Sequence, residues 1–289
     1  MEGSDLEKTQ EKELQVFAAQ LRYDVLEMLE HRGYGHLGGS LSIVELMSVL
    51  YGKQLHVDPT QPKMDDRDMV VLSKGHAGPA WYCALAEKGF FDKEWLMTLN
   101  EGGTCLPSHP DRQKTPGVDM TTGSLGQGTS AAAGIATGMR MNGSKRYVYM
   151  IVGDGELNEG QCWESFQYIA HYKLNNCIVI IDDNKRQLDG YTKDVMNPFS
   201  IPEKMKAFGF DVQVVKGNDV KAIDEAIDRA KGIKDQAVCI VLDTIKGQGV
   251  PFFEEMTSNH SVKFNTEEIK DATHKAMAEL KQFIEQEGQ

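Results

Sequence analysis

Apolar residues recur along this chain at two different spacings. From Glu11 to His31, Leu14, Phe17, Leu21, Val25 and Met28 return every three or four positions, which predicts an amphipathic helix. The runs Met69–Ser73, Tyr147–Val152, Cys177–Ile181, Phe210–Val215 and Ala237–Leu242 are short and mostly apolar, and read as strands. Helical patterns lie between them: Ser42 to Tyr51, Lys74 to Lys88, Asp92 to Leu99, Thr129 to Met141, Gly160 to Tyr172, a helix opened by Pro202, Asp219 to Lys231, and Thr266 to Gln286. Ser42 and Glu45 have the spacing of a capping box. Strands alternating with helices predict an α/β fold, a doubly wound parallel sheet with helices on both faces. Residues 1–10 are polar and are expected to form a flexible tail. Residues 11–289 contain no repeat, linker or boundary, and are expected to form a single domain.

Two segments depart from simple patterning. Residues 101–128 form a long loop rich in Gly, Pro and Thr, and loops of that length are usually functional or disordered. The Thr129–Met141 helix is Ala- and Gly-rich on all sides, so it is expected to pack closely against a sheet or a partner helix.

Composition narrows the class. Of 289 residues, 40% are hydrophobic and 26% charged, as in a soluble globular chain. A formal charge of −12 argues against general binding to nucleic acid or anionic membranes, while leaving room for a local phosphate site. The five cysteines are widely spaced with no C-x-x-C, which predicts reduced thiols in a cytoplasmic protein. The polar start predicts no secretory signal, and no apolar run approaches the roughly 18–20 residues of a membrane span.

The candidate chemistry centres on residues 153–184. A strand feeds Gly153-Asp154-Gly155-Glu156, and the next strand ends at Asp182-Asp183-Asn184. Parallel strands joined by one helix bring Asp154 and Asn184 to one sheet edge, where open α/β sheets bind ligands. A carboxylate and an amide oxygen suit Mg²⁺, which completes its octahedron with waters and phosphate oxygens. The Gly-Asp-Gly alone could be an ordinary turn, but the asparagine after the next strand favours a metal–diphosphate site. Strand Met69–Ser73 also runs into a glycine turn, Lys74-Gly75-His76, before a helix, a recurrent anion-binding arrangement. Lys74 fits equally a site residue or a helix-start cation. His36, His76, His109 and His260 stand in glycine- or proline-bearing loops, where sites concentrate. His31, His56, His171 and His274 lie on or beside helices and read as structural. Glu156 and Asp183 flank the metal residues and read as neighbours that face solvent or support the ligands, because their added charge would over-neutralise Mg²⁺.

The blocks Gly35-His36, Ser73-Lys74-Gly75-His76, Ser108-His109-Pro110, Thr122-Gly123-Ser124-Leu125-Gly126-Gln127-Gly128, Gly153 to Gly160, Asp182-Asp183-Asn184-Lys185 and Lys246-Gly247-Gln248-Gly249, with a following His260, occur in the order seen in transketolases. From about residue 15 to 265 the chain resembles the diphosphate-binding (PP-type) domain of these thiamine-diphosphate enzymes. The resemblance implies Asp154, Asn184 and the backbone carbonyl of Arg186 as Mg²⁺ ligands, with Ca²⁺ or Mn²⁺ as substitutes. It implies His76, Gly155, Glu156, Asn184, Lys246 and His260 at the cofactor, and Gly123, Ser124 and Leu125 at its aminopyrimidine ring. It implies His36, His109 and His260 as catalytic residues lining the sugar channel, and Glu159 in a proton relay at a subunit interface. Such residue types suit the chemistry, because the cofactor is the electron sink and the protein orients substrates and moves protons.

A full transketolase continues into pyrimidine-binding and C-terminal domains. Their absence here implies the N-terminal subunit of a split transketolase, active in a heterotetramer with a C-terminal partner subunit. Together they would move a two-carbon ketol unit from a ketose phosphate to an aldose phosphate in pentose phosphate metabolism. Leu37 stands where the family often has proline, and Asn259-His260-Ser261-Val262 differs from the usual setting of that histidine. Alternatives are half of another thiamine-diphosphate enzyme (a 2-oxo acid dehydrogenase α subunit or a deoxyxylulose-phosphate synthase-like protein), a specialised transketolase for an unusual sugar, or a non-catalytic scaffold subunit. The four loop histidines count against the dehydrogenase, and the retained Asp154 and Asn184 against the scaffold.

Overall fold

The five apolar runs become five parallel strands in the computed structural model, which describes residues 2–288. They are β1 (Met69–Leu72), β2 (Val148–Gly153), β3 (Cys177–Asp183), β4 (Phe210–Lys216) and β5 (Ala237–Asp243), in the order β1-β2-β3-β5-β4. The central strands are buried on both faces, which is why they lack polar alternation.

Successive side chains feed two separate cores. Tyr149, Ile151, Ile178, Ile180, Val238 and Ile240 face α1 (Glu2–Arg32), α2 (Val44–Val49), α3 (Gly78–Glu87) and α7 (Val220–Gly232). Val148, Met150, Val152, Val179, Ile181 and Val241 face α4 (Gln127–Met141), α5 (Gly160–His171) and α6 (Ile201–Ala207). The period of two thus supplies one layer of helices above the sheet and one below. A last helix, α8 (Glu267–Glu287), packs along α1. No helix among the described residues is long and apolar enough to cross a membrane.

Two local expectations change. Helix α1 already runs from Glu2, through the stretch assigned to a tail; Met1 lies outside the described residues. The capping box does not form. Ile43 takes the N-cap position without a side-chain bond, Ser42 turns to Asp182, and Glu45 is buried against Arg22 at 2.5 Å. Partners brought in by the tertiary fold outcompete a local N–H. Helix α4 packs against the sheet, one of the two expected settings, through Ala132, Ala133 and Ala136, while Gly134 and Gly138 have nothing within 4 Å of where a Cβ would stand. The segment 250–265 contains a short helix, Pro251–Glu255, and a two-residue strand, Val262–Lys263.

That small strand matters for position. It pairs antiparallel with Tyr34–Gly35, and Phe264 N donates to Gly33 O at 2.9 Å. Gly38 N donates to Asn259 O at 2.8 Å, and Gly247 N to Gly38 O at 3.1 Å. Three loops far apart in sequence are stitched together beside the carboxyl ends of the strands.

Candidate active site

The carboxyl ends of β1, β2, β3 and β5 open into one cavity of about 350 Å³. Its lining includes His36, Lys74, His76, His109, Gly123, Leu125, Asp154, Gly155, Glu156, Glu159, Asn184, Arg186, Lys246 and His260. Of the candidate residues, only Ser124 lies off this wall, although both its neighbours line it. A larger open groove of about 700 Å³ lies between α1, α8 and the Lys93–Thr98 segment, away from the strand ends. The smaller cavity is the one on which titratable loop residues converge.

Register explains the metal-type pair. Gly153 on β2 lies beside Asp182 on β3, so Asp154 and Asn184 project from adjoining strand ends. Asp154 Oδ1 accepts from Gly155 N at 2.9 Å, whereas Oδ2 is buried with no partner among the described residues. Burial, then the nearby Asp182 and Asp183 charges, push the Asp154 carboxyl up to about 8. An orphaned carboxylate oxygen in such a place is costly unless a cation meets it. Asn184 is held by its Nδ2, which donates to Asp182 Oδ2 at 2.7 Å, and its Oδ1 accepts from Arg186 N at 3.1 Å. Arg186 turns its guanidinium away, to Met256 O at 2.6 Å and Tyr191 OH at 2.7 Å. Its carbonyl faces Lys246 Nζ at 3.4 Å. The donor set fits a hard divalent cation: a buried carboxylate, an amide oxygen whose orientation is set, and a carbonyl.

The cationic and histidine wall lies opposite. Lys246 Nζ is 3.0 Å from His260 Nδ1, and burial lowers the lysine to about 8. His36 sits centrally, its ring centroid 5.3 Å from those of His109 and His260 and 5.8 Å from that of His76; His76 and His260 are 4.7 Å apart. Burial, with neighbouring positive groups, lowers His36 to about 4 and His260 to about 3 and lowers His76; burial alone lowers His109. All four are therefore neutral near pH 7, able to accept at one ring nitrogen and donate at the other. The fold thus brings the four loop histidines to one place. His274, by contrast, lies on α8, 2.5 Å from Glu30.

Several residues at the site went unassigned in the sequence. Asp182 is fully buried and ion-paired with Lys74 at 2.6 Å; Ser42 Oγ donates to it at 2.7 Å, and Thr244 Oγ1 donates to its other oxygen. Lys74, which fits a site residue or a helix-start cation equally in the sequence, is buried at the cavity floor and paired with Asp182. Strand alternation was the available signal: Asp182 and Asn184 share one side of β3, while Asp183 faces the other way and pairs with Lys185. Arg22 adds a second buried tie, donating to Gln248 O at 3.1 Å and holding the turn that carries Lys246. Glu156, expected to face solvent or support the ligands, is buried among protein donors. Glu159 is exposed at the rim.

A parallel sheet whose strand ends gather a metal-type carboxylate–amide pair, a lysine and neutral histidines defines a protein that holds a diphosphate-bearing cofactor. The chain belongs to the transketolase family: residues 14–286 match the family described as "Transketolase, thiamine diphosphate binding domain". It is 45% identical over 272 residues to the 6-deoxy-6-sulfo-D-fructose transketolase subunit SqwG of Clostridium sp. (strain MSTE9), a match covering 94% of this chain and 97% of that one. It is 39% identical over 244 residues to an apulose-4-phosphate transketolase subunit of Actinobacillus succinogenes, covering 82% of this chain and 88% of that one. Among solved structures, transketolase from Campylobacter jejuni superposes with a TM-score of 0.83 at 29% identity, covering 93% of this chain and 45% of that chain. Transketolase from Leishmania mexicana gives 0.81 at 28%, with 95% and 45% covered. The chain spans less than half the length of these solved transketolases, and nearly the whole of the first subunit relative. It corresponds to the N-terminal, thiamine-diphosphate-binding half of a split transketolase.

Proposed function

We propose that this chain, together with a partner subunit bearing the pyrimidine-binding domain, transfers a two-carbon ketol unit from a ketose phosphate, or a ketose carrying another terminal anion, to an aldose phosphate. The observation that carries the reading is the convergence of Asp154, Asn184, Lys246 and four neutral histidines on one cavity at the strand ends. Asp154 Oδ2, Asn184 Oδ1 and the Arg186 carbonyl would hold Mg²⁺, with Ca²⁺ or Mn²⁺ as replacements. His76, Lys246 and the glycine backbone at Gly155 would meet the diphosphate, and Gly123 and Leu125 the ring end. When bound, thiamine diphosphate supplies the nucleophilic carbon and the electron sink.

The chain's own residues bind, orient and move protons. Lys246 and the cation balance the diphosphate charge. His36, His109 and His260, neutral at pH 7, hydrogen-bond sugar hydroxyls and hand a proton to or from the reacting oxygen. Glu159, exposed beside the cavity, is assigned to proton transfer across a subunit interface. We take the complex to be a cytoplasmic heterotetramer; the five free thiols fit a reducing compartment.

The test is reconstitution with the partner subunit, thiamine diphosphate and Mg²⁺. Ketol transfer is measured from fructose 6-phosphate, 6-deoxy-6-sulfo-D-fructose and apulose 4-phosphate, beside a decarboxylation assay with 2-oxo acids. Ketol transfer from at least one sugar supports the reading. Decarboxylation alone, or cofactor binding with neither activity, refutes it. Inclusion of the sulfo-sugar is motivated by the 45% identical relative.

A further inference from the structure

Glu156, which the resemblance implies at the cofactor, is given no contact with the cation or diphosphate under Proposed function, yet it is an expensive residue to bury. It is 2% exposed, and no cation among the described residues bonds it. Its Oε1 accepts from Ser73 Oγ at 2.5 Å and from Gly126 N at 2.8 Å; its Oε2 accepts from Gly153 N at 3.1 Å. Lys74, the buried cation nearby, is bonded to Asp182 and Gly39 O instead. A carboxylate in this setting is stable only while all its donors stay in place.

Those donors come from three separate segments. Ser73 belongs to the turn after β1, which carries Lys74 and His76. Gly153 ends β2, one residue before Asp154. Gly126 belongs to the 122–128 loop, which forms a different wall of the cavity through Gly123 and Leu125. That loop has a second tie, Thr122 Oγ1 donating to Leu72 O at 2.7 Å. Gly123 and Leu125 therefore lie between two anchors, and Glu156 is the anchor that joins them to the turn bearing Asp154. Gly126 has a φ of +84°, so its N–H reaches the carboxylate through backbone that a side chain would strain.

We propose that Glu156 is a positioning residue that sets the spacing between the diphosphate-and-metal wall and the wall that meets the ring end of the cofactor, and so makes the site select the whole cofactor over its diphosphate fragment. This rests on the reading under Proposed function. Preorganised walls improve affinity by removing the ordering cost at binding. Glu156→Gln keeps the size but leaves one oxygen for three donors and turns an NH₂ toward a backbone N–H, which frees the loop.

The experiment uses the assembled complex and calorimetric titration with two probes, Mg²⁺ with thiamine diphosphate and Mg²⁺ with inorganic diphosphate. Glu156→Gln is expected to weaken thiamine diphosphate by about tenfold or more and to leave inorganic diphosphate within about threefold. Amide exchange across residues 122–128 is expected to speed up in the same variant. Ser73→Ala removes one donor and keeps the carboxylate, and is expected to give a smaller loss of the same selectivity; it decides the matter if Glu156→Gln does not assemble. Equal losses on both probes, or no loss on thiamine diphosphate, overturn the proposal. A wild-type complex that binds neither probe removes the cofactor reading itself, a failure visible before any variant is made.

Discussion

Removal of the Asp182 carboxylate tests whether the floor of the site is an electrostatic knot. In Asp182→Ala, Lys74, 1% exposed, loses its 2.6 Å counter-charge, and Ser42, Asn184 and Thr244 lose their acceptor. Stranding a buried charge costs about 3–5 kcal/mol. Each hydrogen bond lost adds about 1 kcal/mol, less where another acceptor is at hand. Lys74 keeps Gly39 O at 2.8 Å and Ser42 Oγ at 3.3 Å, so part of the loss is recovered. A net cost of about 4 kcal/mol is expected, a large fraction of the roughly 5–15 kcal/mol typical of a domain. Lys74→Met alone should cost about 2–3 kcal/mol, because Asp182 retains its neutral donors. The double variant should be no worse than Asp182→Ala, giving a coupling of about 2–3 kcal/mol in urea denaturation followed by tryptophan fluorescence and circular dichroism. Mg²⁺ with thiamine diphosphate should no longer raise the melting temperature of the reconstituted complex, because the Asn184 amide has lost the bond that orients it. Additive single costs, or a cost below about 1 kcal/mol for Asp182→Ala, would refute the reasoning.

Four further outcomes follow from the same structure. The unfolded chain takes up histidine protons as pH falls through about 6.5, whereas folded His36 and His260 wait until about 4 and 3. The cofactor-free chain should therefore lose stability as pH falls from about 6.5 toward 4, and His36→Gln or His260→Gln should make the pH dependence of the denaturation midpoint shallower. A Cβ at Gly128 would stand 2.6 Å from Ser73 Oγ and 2.7 Å from Ser73 Cα, so Gly128→Ala should cost about 1–3 kcal/mol. Gly134→Ala on the open side of α4, with nothing within 4 Å, should add up to about 1 kcal/mol to the isolated chain by chemical denaturation. Phe166, fully buried between Trp163 and Phe210, should cost about 3–5 kcal/mol on truncation to Ala, with thiamine diphosphate affinity unchanged by calorimetry.

Much of the site was legible before the fold. Glycine turns after strands marked Asp154 and His76, and the polar triplet after an apolar run marked Asn184. What misled was reading residues by their immediate neighbours. Ser42 and Glu45 have capping-box spacing, yet one bonds Asp182 and the other Arg22, residues on β3 and α1. Glu156 looked like a charge beside the metal pair, but two of its three donors, Ser73 and Gly126, are far away in sequence.

By itself the sequence determined the alternation of strands and helices, because period and run length are local properties that burial on two faces imposes. It also determined which residue types stand at the strand ends, because tight turns need glycine there. Only the tertiary structure decided which buried charge meets which. The Gly35–Val262 pairing carries His36 to His260, and the β2–β3 register carries Asp154 to Asn184. Side-chain contacts between segments a hundred residues apart have no period to betray them; they exist only once the sheet order and strand register are set.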